Sequence, residues 1–161
     1  DKIFVFNPYA YDTVFGEGFR RANLFARFII WSMSLPFAGN FFAALENRLV
    51  LWGIFRGGVY NKKAVTWNYL TLLSSSIRKS GHIYHTRNVF LNFRSWTEAK
   101  QRYPQLKTSS TLVYGENDWS TKKERSETRA LMSPENYIEL ANTGHFSFLE
   151  AAESAADIIK S

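Results

Sequence analysis

Two patterns of apolar residues alternate along the chain. Ile3-Phe4-Val5-Phe6 is apolar at every position and stops at Asn7-Pro8. Thr111-Leu112-Val113-Tyr114 repeats the pattern and is closed by Gly115. Tyr137-Ile138-Glu139-Leu140 is a third short run, followed by Asn142-Thr143-Gly144. Short, β-branched or aromatic runs bounded by turn residues predict strands, and unbroken apolarity predicts a parallel sheet covered on both faces.

Between the first and second runs the period changes to three and four. Phe25, Phe28, Ile29, Trp31 and Met33 predict a helix ending at Leu35-Pro36. A second helical run takes in Phe41, Phe42, Leu45, Leu49, Trp52, Ile54 and Phe55 and breaks at Gly57-Gly58. Trp67, Leu70, Leu73 and Ile77 predict a third, ending near Ser80-Gly81, with Gly81 opposing a well-formed helix just beyond it. Ser95-Trp96-Thr97-Glu98 has the form of a capping box opening a short helix towards Pro104. Further on, Lys122–Met132 reads as a helix between the second and third strands, and a last helix covers about 148–159. The expected organisation is a core strand in 1–12, a helical insertion in 13–102 and a β-α-β-α core in 103–161.

Composition sharpens this picture. At 45% hydrophobic and 17% aromatic, the 161 residues can build a core and exclude a disordered chain. The absence of cysteine excludes disulfides and thiolate metal sites, and fits a reducing, cytoplasmic setting. The net charge of +6 is unevenly spread: Arg20 to Arg102 holds thirteen Lys or Arg against Glu46 and Glu98, while the rest is net acidic. A basic, aromatic-rich insertion favours an anionic partner, a membrane surface among them. Nucleic acid is not expected, since no recognised binding module is present. Leu24 to Leu45 has the length of a membrane span, but Pro36, Gly39, Asn40 and Arg27 interrupt it, which favours two helices joined by a turn.

The chemistry lies at the strand ends. Tyr114-Gly115-Glu116-Asn117-Asp118 carries an acid just past the second strand, and Thr143-Gly144-His145-Phe146 a histidine just past the third. Each alone is an ordinary loop residue. Together they follow successive strands joined by one helix, so a right-handed parallel crossover places them on the same sheet edge. A carboxylate that fixes a histidine's tautomer lets the imidazole serve as a general base.

Through Thr111–Asp118 and Thr143–Glu150 the chain resembles the α/β-hydrolase family. The resemblance implies the C-terminal half of that fold: parallel strands flanked by helices, with residues 13–102 as a cap. It implies Asp118 and His145 as the acid and the histidine of a catalytic triad. No Gly-x-Ser-x-Gly occurs; Gly53-Ile54-Phe55-Arg56-Gly57 has the spacing, with Phe55 in the nucleophile's place. The nucleophile and the oxyanion loop are therefore expected in an N-terminal half of the fold that precedes residue 1. The implied activity is hydrolysis of an ester or similar bond in a small apolar substrate, with Phe28, Trp31, Trp52 and Phe146 as substrate-binding residues and no cofactor. The alternatives are an epoxide hydrolase or haloalkane dehalogenase with an aspartate nucleophile, and a non-catalytic relative that binds a lipid or a protein. Asp12 is a second candidate for the triad acid. His82 and His85, three residues apart, have metal-ligand spacing without a third ligand, and no metal is expected.

Overall fold

The computed structural model describes residues 1–13, 21, 24–92 and 94–161. The expected start of the helical insertion, residues 14–20, lies outside them. Three strands form one parallel sheet in the order β1 (Ile3–Phe6), β2 (Ser110–Gly115) and β3 (Asn136–Leu140). Ile3 pairs with Ser110 and Phe6 with Val113; Thr111 pairs with Asn136 and Gly115 with Leu140. Every residue of the central strand β2 is buried, as its unbroken apolar run requires, whereas β1 at the edge is only half-buried.

Among the described residues, the segment between β1 and β2 is mostly helical. It comprises α1 (Leu24–Met33), α2 (Gly39–Ala44), α3 (Arg48–Gly58), α4 (Trp67–Ile77), α5 (His82–Leu91) and α6 (Arg94–Arg102), with 3₁₀ turns at Lys62–Ala64 and Tyr103–Gln105. Among the described residues no helix is long and apolar enough to cross a membrane. The core resumes with β2, α7 (Lys122–Met132), β3, α8 (Ser147–Glu150) and α9 (Ala152–Lys160).

Local chemistry explains where the helices depart from the apolar pattern. The second run is two helices, because Asn47 takes an extended conformation and its side chain accepts from the Leu49 and Val50 N–H groups, starting α3 afresh. Gly81 does not prevent a helix: at φ +82° it turns the chain into α5 at His82. The expected capping box at Ser95 is absent. Ser95 lies inside α6 and its hydroxyl donates back to the Asn92 carbonyl. A capping box does form at Thr121–Glu124, opening α7. The C-terminal helix breaks at Ala151, outside helical geometry at ψ 49°.

Two apolar clusters form among the described residues. Leu112, Tyr114 and Met132 pack the sheet against α7. Leu51, Val59, Val65 and Leu70 form the other, and Phe55, Phe146 and Leu149 pack onto it. The second cluster joins the helices between β1 and β2 to the segment that carries His145.

Candidate functional site

The parallel topology brings the loops after β1, β2 and β3 to one edge, and three residues there interlock. Asn7 ends β1 at φ +43°, a left-handed conformation that asparagine tolerates. Its buried carboxamide oxygen accepts from the Gly115 N–H (2.8 Å). Its amide donates to the His145 carbonyl (2.8 Å) and to the Ser147 hydroxyl (2.6 Å). One side chain thus ties together the ends of all three strands. Gly115 allows the close approach: a Cβ there would stand 2.2 Å from the Gly144 oxygen and 2.5 Å from the Thr143 oxygen.

Asp118 and His145, 27 residues apart, meet at 2.7 Å between Asp118 Oδ2 and His145 Nδ1. The Asp118 side chain is 3% exposed and that of His145 25%. Burial pushes the Asp118 carboxyl up, but the bond and charge of His145 and the Ser120 hydroxyl and N–H outweigh it. The net effect lowers its pKa below the ordinary carboxylate value. Asp118 is therefore ionised at neutral pH and must accept, which puts the proton on Nδ1 and leaves the lone pair on Nε2. The acid's turn is itself anchored: buried Arg125 donates to the Ser120 carbonyl at 2.9 Å. Trp119 stacks on the imidazole with ring centroids 4.0 Å apart and planes 11° from parallel.

His145 and Phe146 open onto a cavity of about 320 Å³ whose walls include Phe6, Phe55, Tyr69 and Phe148. Of the residues assigned to substrate from the sequence, Phe146 lines this cavity. Phe28, Trp31 and Trp52 do not. Trp52 lines a separate groove with Phe25, Leu49 and Arg56, and Trp31 is half exposed. Asp12 is turned away to Lys100 (3.0 Å) and is 82% exposed. His82 pairs with Glu46 at 2.7 Å and His85 is exposed; among the described residues no cluster has the makings of a metal site. The Gly53–Gly57 segment lies inside α3, so its glycine spacing makes no strand-to-helix elbow.

No family model matches the chain, and no curated protein sequence does either. Solved structures do. A variant of aCif matches with a TM-score of 0.72 at 14% identity, over 99% of this chain and 52% of that one. Cfl2 from Burkholderia cenocepacia matches with a TM-score of 0.67 at 11% identity, over 86% and 48%. An α/β-hydrolase fold protein from Burkholderia ambifaria gives 0.63 at 15% identity over 98% and 55%. A variant of the meta-cleavage product hydrolase CumD gives 0.61 at 13% identity over 98% and 62%. The chain has the α/β-hydrolase fold, as its C-terminal half, and spans about half the length of the solved structures it matches.

Proposed function

We propose that this chain supplies the acid and the base of an α/β-hydrolase triad, completed by a nucleophile on a segment outside these residues. The reaction is cleavage of an ester or a similar bond in an apolar substrate. The observation that carries the reading is the bond between Asp118 and His145 Nδ1, with an ionised acid that leaves Nε2 free to take a proton. A serine hydroxyl would give its proton to Nε2 as its oxygen attacks the carbonyl carbon. Asp118 would stabilise the imidazolium, which then protonates the leaving group; water would repeat the sequence to release the acyl group. The apolar cavity beside His145 supports an apolar substrate.

In this reading the helical insertion is the cap over the site, and its basic, aromatic surface also meets anionic lipid. Phe37, between α1 and α2, is 97% exposed, and Phe28, Trp31 and Phe41 nearby are at least half exposed. Binding to phosphatidylserine vesicles that weakens with salt supports that contact; equal binding to neutral vesicles speaks against it.

The activity is tested on the natural full-length protein with a panel of p-nitrophenyl esters. Turnover that falls by about 10³-fold or more in His145→Ala and Asp118→Asn supports the triad. No turnover of any ester and no labelling by a fluorophosphonate leaves the aspartate-nucleophile and the binding-protein alternatives, which epoxide and haloalkane substrates separate.

A further inference from the structure

The Glu150 carboxylate accepts from two backbone N–H groups that lie far apart in sequence. Oε2 accepts from the Gly144 N–H at 2.7 Å, the peptide just before His145. Oε1 accepts from the Asn61 N–H at 2.6 Å, just after α3 in the helical insertion. Two more bonds run beside it: the His145 N–H donates to the Gly58 carbonyl (2.7 Å) and the Trp119 indole to the Gly57 carbonyl (3.0 Å). The backbones are in direct contact. A Cβ on Gly144 would stand 2.5 Å from the Gly58 oxygen and 2.7 Å from the Tyr60 nitrogen. A Cβ on Gly58 would stand 2.3 Å from the Phe146 ring.

We propose that Glu150 is a positioning residue that couples the seating of residues 57–61 to the orientation of His145. Three backbone groups beside the imidazole are held. Glu150 takes the Gly144 N–H, Gly58 takes the His145 N–H and Asn7 takes the His145 carbonyl. Of these anchors, Gly58 and Glu150 lead to the insertion, and the carboxylate grips both sides at once. A carboxylate suits this place because it only accepts, so both oxygens face donors without conflict. If residues 57–61 lift away, the loop loses its N-terminal anchors, and the imidazole is free to swing from Asp118. The inference rests on the reading of Asp118 and His145 as a proton relay.

The test uses the natural full-length protein, wild type and with Glu150→Gln, Glu150→Ala or Asn61→Pro. Asn61→Pro removes the N–H on the insertion side at φ −83°, close to what proline adopts. Nitrogen-edited NMR of the His145 ring reads the Nδ1 proton, and the pH profile of kcat/KM reads proton uptake at Nε2. In the wild type the Nδ1 proton is expected to be protected and shifted to low field by the carboxylate. Glu150→Ala is expected to lose that resonance, move the pH profile and lower kcat about 10- to 100-fold with KM nearly unchanged. Glu150→Gln, which keeps one acceptor but turns a donor towards the other N–H, falls between. Asn61→Pro shifts the same signals in the same direction. An unchanged Nδ1 resonance and pH profile in folded Glu150→Ala or Asn61→Pro, even with a lower Tm, overturns the inference. The two failures look different: a resonance that responds to Glu150 in a protein with no turnover sinks the hydrolase reading alone. Full turnover with a resonance indifferent to Glu150 sinks this one alone.

Discussion

Replacing Asn7 by alanine tests how the strand ends are held. The substitution removes an acceptor and two donor bonds in a side chain that is 8% exposed. The Gly115 N–H is left buried without an acceptor, which costs about 1–3 kcal/mol. The bonds to the His145 carbonyl and the Ser147 hydroxyl contribute about 1 kcal/mol each. Alanine at φ +43° adds about 1 kcal/mol of backbone strain. The total is a loss of about 4 kcal/mol or somewhat more, large for one substitution. Asn7→Gly relieves the backbone strain but not the lost bonds, so its stability should lie about 1 kcal/mol above that of Asn7→Ala if other backbone effects are equal. Asn7→Asp keeps an acceptor for Gly115 but sets a carboxylate oxygen against the His145 carbonyl, so it should disturb His145 more than its isosteric shape implies. Urea unfolding of the full-length protein measures all three variants against wild type. A loss under about 1 kcal/mol for Asn7→Ala, with an unchanged denaturant slope, refutes the argument, because water would then be replacing the side chain.

Asp118 titrates below its ordinary value, so its contribution to stability is fully present above the unfolded carboxyl pKa and is lost as pH falls through the lower folded value. Asp118→Asn should flatten the acid end of a Tm-against-pH curve; an equally steep curve would show that other carboxylates set it. Gly115→Ala forces a Cβ against two backbone oxygens and should destabilise by about 2–3 kcal/mol by denaturant titration, against no effect if the His145 loop can retreat. Thr121→Ala removes the cap of α7 and should cost about 1 kcal/mol, read as a lower urea midpoint; no shift would show that Glu124 alone suffices.

The local pattern of residues determined the elements that build the sheet. Ile3–Phe6 and the runs around 111–115 and 137–140 are strands, because they are short, rich in β-branched and aromatic residues and bounded by turn residues. The loops after two of them, joined by a short crossover, had to share an edge, which made the meeting of Asp118 and His145 legible before any coordinates. Tertiary structure decided the rest. Asn7 read as a strand terminator, yet its partners lie 108 to 140 residues away. Glu150 was part of a family resemblance, yet its second partner is Asn61, 89 residues back. Helical period marked the aromatic run between β1 and β2 but not which of its rings share a cavity with His145: Phe55 and Tyr69 line it, whereas Phe28, Trp31 and Trp52 do not. Periodicity records which side of an element is apolar; which neighbour that side meets depends on long-range packing, and so do the hydrogen bonds that lock a site.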